Sequence, residues 1–467
     1  MDPPSFNKSR VWSTAFHAGI GGFIHGYNVG VFTSCQPCVA SVLNWGSSSS
    51  YLIPIMTSLN FLGGFFGALF SGTLKSFGRR KSIMLADWIV IFGSVIVIIP
   101  FTISFGIGRF VLGFASGMFN SLCPLYINEK TPIEVSGKVG TLYQIYVCIG
   151  LFASYAMALP LPTGNYEHEV MTYWWMFSFS SQLFLALLQF LMFKKNFRLD
   201  TPTSLIDRGL DDKALRSMCE VFPKDEAMNR LSVGFSESSF ANKLSPINEV
   251  KKIEHSYPQL LLCKGGRGKM MRIGIMASFV QEFCGIIPIL VYLTFIFDEF
   301  GGGVFLSRGL TTVSGLVKLV SVLAVLPFID NWGRRPLFIY GSISMGIFMG
   351  LVGVFNLTAE VSYFIPFVLI ECFLMAFEFS TGPLCWIYSG EILCPKGMSI
   401  AISSNWLFMT ITAISFPFLL DVFGIGFTFL IYCGINLFCA LYCWVDFIET
   451  KGLDKNTIQA SLLGLKS

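Results

Sequence analysis

The sequence predicts an all-α membrane protein of twelve transmembrane helices in two pseudo-symmetric six-helix bundles. Three observations lead there. The chain is 53% hydrophobic and only 13% charged, with a mean hydropathy of +0.65, outside the range of soluble globular domains. Apolar runs of about 20 residues, each able to cross a bilayer core of about 30 Å, recur along nearly its whole length. A short basic turn appears twice, as Phe77-Gly78-Arg79-Arg80-Lys81 and as Asp330-Asn331-Trp332-Gly333-Arg334-Arg335. The copies lie about half a chain apart, the mark of an internal duplication.

The runs fall near 11–33, 51–73, 82–101, 103–127, 138–160, 172–193, 272–297, 305–329, 336–356, 362–389, 397–420 and 423–447. They lack the alternation of barrel strands, so helices satisfy the backbone in lipid. The chain therefore divides into an N-terminal bundle (1–193), a polar linker (194–270), a C-terminal bundle (271–447) and a tail (448–467). The linker is rich in Lys and Arg, from Lys194, Lys195 and Arg198 to Lys269, and patches such as Asp211-Asp212-Lys213-Ala214 predict short interfacial helices. Twelve alternating spans put the linker, both basic turns and both termini on one side, and positive charge marks that side as cytoplasmic. Residues 1–10 are polar and the first apolar run leads into further spans, so it reads as a signal anchor.

Much chemistry is excluded. No phosphate-binding loop or metal-ligand cluster stands out, and His is scarce, with His168 and His255 in loops and His25 in the first span. The chain is not expected to be an enzyme, nor to bind a cofactor, a metal or nucleic acid. Most of the thirteen Cys, including Cys148, Cys284, Cys372, Cys433, Cys439 and Cys443, lie within spans and read as small packing residues. Cys35 and Cys38 are a candidate external pair, and Asn356-Leu357-Thr358 is a formal glycosylation sequon. A duplicated bundle in a membrane points to a transporter whose halves rock about a central site.

Ordered local strings carry a family resemblance. They are Gly22-Phe23-Ile24-His25-Gly26-Tyr27-Asn28-Val29-Gly30-Val31, Gly108-Arg109-Phe110 and Pro124-Leu125-Tyr126-Ile127-Asn128-Glu129-Lys130-Thr131-Pro132. Then come Gly140-Thr141-Leu142-Tyr143-Gln144, Gly382-Pro383-Leu384-Cys385-Trp386, Glu391, Asn405-Trp406 and Glu449-Thr450-Lys451-Gly452. From about Gly22 to Gly452 the chain resembles the sugar porters of the major facilitator superfamily, and especially facilitative glucose transporters. The resemblance implies the major facilitator fold and alternating-access transport of a hexose such as glucose. It also implies a plasma-membrane protein working as a monomer in the bilayer.

Within that reading, mid-span polar and aromatic residues are site candidates, because burying them in a membrane is costly. A sugar's hydroxyls suit amides and a carboxylate, and its apolar face suits a ring. The expected substrate-binding set is Gln144, Gln281, Glu282, Lys318, Glu378, Trp386, Asn405 and Trp406. Interhelical hydrogen bonding or plain packing competes as an explanation, most strongly for the two Trp. Arg79, Arg80, Arg109, Glu129, Arg334, Arg335 and Glu391 form an expected cytoplasmic gate, pairing across the bundles when the inside is closed; plain positive-inside anchoring is the competing reading.

The chain departs from the family pattern at several points. Glu282 and Ile287 stand where the resemblance leads one to expect glutamine and asparagine, and Lys318 where it leads one to expect asparagine. Pairing of Glu282 with Lys318 is the economical expectation; a charged or zwitterionic cargo, or a proton on Glu282, are the others. Lys75 stands where the first basic turn usually has Asp or Asn, Asp200-Thr201-Pro202-Thr203 is all that remains of an acidic string, and Ile448 replaces a proline. Asn28 occupies the position where proton-coupled members carry Asp. An amide cannot titrate, so Asn28 favours uniport. Proton symport, a polyol or charged solute as cargo, and a non-transporting nutrient sensor are the alternatives, the short tail telling against a sensor.

Overall fold

The computed structural model describes residues 6–132, 135–162, 173–230, 266–325, 332–358, 363–393 and 395–453, with 458 and 462. Among the described residues, nine helical stretches are long and apolar enough to cross a membrane. One of them, Gly397–Asp446, is two helices joined at Gly424, whose φ of 74° and ψ of 170° are non-helical. Lys8–Gly30 and Arg79–Val97, with lower mean hydropathy, complete twelve crossings. The N-terminal half has spans 1 to 6 at Lys8–Gly30, Ser49–Thr73, Arg79–Val97, Thr102–Lys130, Ser136–Ala156 and Trp174–Lys195.

In the C-terminal half the seventh span is broken. Gly266–Phe283 gives way to Ile286–Glu299 through Gly285, at φ 100°. This left-handed conformation favours glycine. The eighth and ninth spans are Gly303–Val325 and Arg334–Thr358. The tenth is also broken, Phe364–Glu378 giving way to Thr381–Ile392 at Ser380. Neither break was anticipated. Breaks of this kind are tolerated at membrane depth where neighbouring helices take up the freed backbone groups. Here the carbonyl of Gly382 accepts from Gln281 Nε2 at 3.0 Å, and that of Cys284 from Asn436 Nδ2 at 2.9 Å.

Glycine lets the helices of the first bundle meet backbone to backbone. A Cβ on Gly63 would lie 2.1 Å from the Phe110 carbonyl oxygen, one on Gly113 1.9 Å from that of Asn60, and one on Gly117 2.1 Å from that of Gly64. The second and fourth spans are thus zipped by small residues. The first and fifth spans are zipped likewise through Gly22, Gly26 and Gly150. Gly117→Ala is expected to cost about 1–3 kcal/mol through overpacking. A fall in the thermal midpoint in detergent checks it, with Gly309→Ala, which would meet nothing within 4 Å, as the unaffected control.

Past the sixth span the described residues form the short helices Pro202–Asp207 and Asp211–Cys219, followed by a further helical stretch at 224–230. They are tied to the first bundle: Lys130 and Arg10 both pair with Glu220, at 3.0 and 3.1 Å. The apolar core falls into one cluster within the first bundle, one within the second, and a third that joins them. The joining cluster brings Phe61, Leu151 and Tyr155 together with Ile286, Leu290 and Trp406. Residues 231–265 of the expected linker, His168, Asp330 and Asn331 lie outside the described residues. Cys35 and Cys38, a candidate pair from sequence, are both buried and are not joined in a disulfide. They sit one turn apart at the start of the Gln36–Val42 helix.

Candidate functional site

The central polar residues converge from four spans of the second bundle. Asn405, on the eleventh span, donates from Nδ2 to Gln281 Oε1 at 3.0 Å and to Glu282 Oε1 at 2.7 Å. Lys318, on the eighth, forms an ion pair with Glu378 on the tenth. Its ammonium also stands 4.7 Å from the centre of the Phe377 ring. Lys318 and Glu378 are 4% and 0% exposed, so the pair is made in a dry site. Lys318 therefore does not pair with Glu282, as the sequence reading expected. Glu378 reaches the ammonium, and the amide of Asn405 occupies Glu282. One turn or two further along, Ser314 on the eighth span donates to Glu371 on the tenth.

Trp406 closes the cluster toward the first bundle. Its ring is fully buried, lies 5.2 Å from His25 and 6.3 Å from Phe61, and leaves no room for a Cβ on Gly64. Cys148, one turn beyond Gln144 on the fifth span, is within electrostatic range of Lys318 and Glu378. The cluster thus borders the interface of the two bundles. Gln144 and Trp386 are half-buried. Trp386 stands one turn beyond Gly382, whose carbonyl holds Gln281. Four buried atoms here have no partner: Glu282 Oε2, Glu378 Oε2, Asn405 Oδ1 and Trp406 Nε1. They offer acceptors and one donor to a polyhydroxylated molecule.

The charged residues at the basic end form two matching nodes. Arg79 pairs with Glu129 at 3.1 Å, and Arg334 with Glu391 at 3.3 Å. The hydroxyl of Thr201 donates to Glu129 at 2.5 Å, and that of Thr450 to Glu391 at 2.5 Å. Asp200 accepts from the Arg80 amide at 3.0 Å, while Glu449 accepts from the amides of Arg334 and Arg335 at 2.9 and 3.2 Å. The side chains of Arg80 and Arg335 cap the ends of the sixth and twelfth spans, at the carbonyls of Phe193 and Trp444. Asp200-Thr201 and Glu449-Thr450 are thus one device used twice. Asp200 and Glu449 were not among the expected gate residues, although an acid followed by Thr after the last span of each half was visible in the sequence.

Both ion pairs lie within their own bundle; pairing across the bundles was expected only with the basic end closed, and here hydrogen bonds join the bundles at the opposite end. One expectation is corrected. Arg109 is not at the basic end. It lies early in the Thr102–Lys130 helix, 20 residues before Glu129 and so about 30 Å away along the axis. Its guanidinium is 1% exposed and donates to the carbonyls of Asn28 at 3.2 Å and Met56 at 3.3 Å. It also stands over the Phe32 and Phe179 rings. Asn28 donates to Ser116 Oγ at 3.1 Å.

At the end opposite the basic turns, hydrogen bonds join the bundles. Thr33 Oγ1 and Tyr155 Oη donate to the Leu290 carbonyl at 3.1 and 2.7 Å, and Gln36 Nε2 to that of Val291 at 2.9 Å. Ser34 and Thr294 share a hydrogen bond of 2.9 Å. Arg308 on the eighth span, 1% exposed, donates to the carbonyls of Leu161 and Pro162 in the first half at 2.6 and 3.0 Å. Sequence reasoning missed Arg308. Its signal was an arginine at the less basic end of a span.

The match of the sugar (and other) transporter family model extends over residues 14–462. The chain belongs to that family. This sugar transporter is 28% identical to the arabinose-proton symporter of Bacillus subtilis over 95% of its own length and 93% of that protein. It is 26% identical to the glucose transport protein of Synechocystis over 93% and 94%. Among solved structures it resembles the proton:xylose symporter XylE of the major facilitator superfamily bound to 6-bromo-6-deoxy-D-glucose. The TM-score is 0.81 at 23% identity, over 98% of this chain and all of that one. The fold of this sugar transporter is therefore the major facilitator fold of two six-helix bundles.

Proposed function

We propose that this transporter carries a hexose, glucose-like in preference, by facilitated diffusion through alternating access. The observation that carries this reading is the central cluster. Gln281, Asn405, Glu282 and Glu378 supply hydrogen-bonding groups, with unpartnered oxygens among them, beside Trp406 at the bundle interface. Gln144 and Trp386 complete the site from the facing fifth span and the tenth. A transporter needs only weak binding, about −4 kcal/mol for a millimolar site.

The hydrogen bonds from Thr33, Ser34, Gln36, Tyr155 and Arg308 close one mouth. The Arg79–Glu129 and Arg334–Glu391 nodes brace the basic rim of each bundle, so that each half rocks as a body. By charge asymmetry, the basic rim and both termini are cytoplasmic; the resemblance to facilitative glucose transporters favours the plasma membrane as host and a single chain as the working unit. Uniport is favoured by Asn28, which cannot titrate, and by Arg109, which is satisfied by carbonyls and rings. Entrance counterflow tests the cargo: liposomes preloaded with unlabelled glucose should transiently accumulate labelled glucose, with competition by other hexoses. Gln281→Ala should cut that flux about tenfold, the loss of one to two hydrogen bonds. Absence of counterflow from folded protein would overturn the hexose reading.

A further inference from the structure

Glu282 is a second carboxyl in a site that holds one cation. Among the described residues of the cluster, Lys318 is the only ammonium, and Glu378 on the tenth span takes it. The other groups facing Glu282 are neutral or distant. Asn405 approaches from the eleventh span and Cys385 from the tenth. Cys284 lies on its own span, next to Cys439 of the twelfth. Glu371, about two turns from Glu378, is bonded to Ser314, and Cys148 faces the Lys318–Glu378 pair from the first bundle. Glu282 itself is 2% exposed. One of its oxygens accepts from Asn405, and the other is buried without a partner.

An ionised carboxylate so placed would be a desolvated charge with a single hydrogen bond, in a cluster of net charge −1 inside a membrane. A neutral acid removes that imbalance. It also changes what the free oxygen offers, since a carboxylic acid keeps an acceptor for Asn405 and presents an O–H donor on the other side. We propose that Glu282 works as a neutral carboxylic acid whose O–H donates to a cargo hydroxyl, so that it serves as a glutamine-like ligand. Glu378 on the tenth span, held by Lys318, accepts from the cargo. The site then reads a neutral polyol with one donor and one acceptor from adjacent helices. The proton on Glu282 stays with the protein through the cycle, which leaves uniport intact. This rests on the sugar-site reading above and deepens it.

Two measurements on the full-length protein test the proposal. The first is infrared spectroscopy of the lipid-reconstituted protein at neutral pH. The difference between wild type and Glu282→Gln should contain a protonated-carboxyl C=O stretch, present in the wild type and lost in the variant. Should the glutamine variant fail to fold, Glu282→Asp should shift the same band. The second is exchange of labelled glucose at equal pH on both sides. Glu282→Ala should lose about tenfold, one good hydrogen bond, and Glu282→Gln should lose less than Glu282→Ala. A merely structural neutral carboxyl would show the same band, but only a donor to cargo shifts it when glucose is added, and that shift is expected in the wild type. No protonated-carboxyl band assignable to Glu282, a band that glucose leaves unmoved, or a folded Glu282→Gln that exchanges no better than Glu282→Ala overturns the proposal. If the wild type exchanges no glucose, the cargo reading fails while the infrared result still decides the state of Glu282.

Discussion

Lys318→Met is expected to abolish transport and strongly destabilise the protein. The substitution leaves Glu378, which is fully buried, without its ammonium, and breaking a buried pair from one side costs about 3–5 kcal/mol. Thermal unfolding in detergent should show a large fall in midpoint. Adding Glu378→Gln removes the stranded charge, and the Lys318→Met/Glu378→Gln protein should recover most of the stability, because replacing both partners of a buried pair is often near neutral. Transport should stay impaired in the double variant, which has lost an acceptor for cargo. The signature is strong non-additivity in the double-mutant cycle. Additive losses would mean that Lys318 and Glu378 do not act as a pair.

The second large effect concerns the closed mouth. Arg308→Met removes both hydrogen bonds to the Leu161 and Pro162 carbonyls while keeping an unbranched apolar stem in the same space. Charge-assisted bonds of this kind contribute about 1.5–3 kcal/mol each. Every 1.4 kcal/mol of differential stability shifts a two-state population about tenfold. The variant should therefore populate a state open at that end. Hydrogen exchange reports it directly: peptides covering 286–299 and 33–42 should exchange at least about tenfold faster, with the nodes at Arg79 and Arg334 unchanged. Unchanged protection there would remove Arg308 from the gate. Arg109→Met should leave those peptides alone, since Arg109 is held within the first bundle by Asn28 and Met56.

The twelve spans were legible in the sequence because a bilayer forces long apolar runs that satisfy their own backbone. The glycine strings were legible as a pattern, and the structure supplies their cause in helices touching at Gly63, Gly113 and Gly117. The convergence of Gln281, Glu282 and Asn405 was expected from residue type and depth. The partner of Lys318 was not readable, since Glu282, Glu371 and Glu378 all lie within reach in sequence terms and only the rotation of the eighth and tenth spans chooses among them. Arg109 was assigned to the gate as flanking the fourth span, although the apolar run at 103–127 already placed it inside that span, which begins at Thr102. The Asp200–Thr201 and Glu449–Thr450 nodes share an acid followed by Thr in the sequence, but their contacts with Glu129 and Glu391 were not readable, because they depend on how the chain folds back onto each bundle. Arg308 was hidden among apolar neighbours, although an arginine at that end of a span goes against the usual charge bias.

The most direct test is uptake of labelled glucose by proteoliposomes, with and without an inward proton gradient. Saturable uptake that stops at equal concentrations on both sides, at one initial rate under both conditions, is the predicted result. Accumulation above the outside concentration driven by inward protons would contradict uniport and make Glu282 or Glu378 the coupling site. No flux from folded protein would contradict glucose as the cargo.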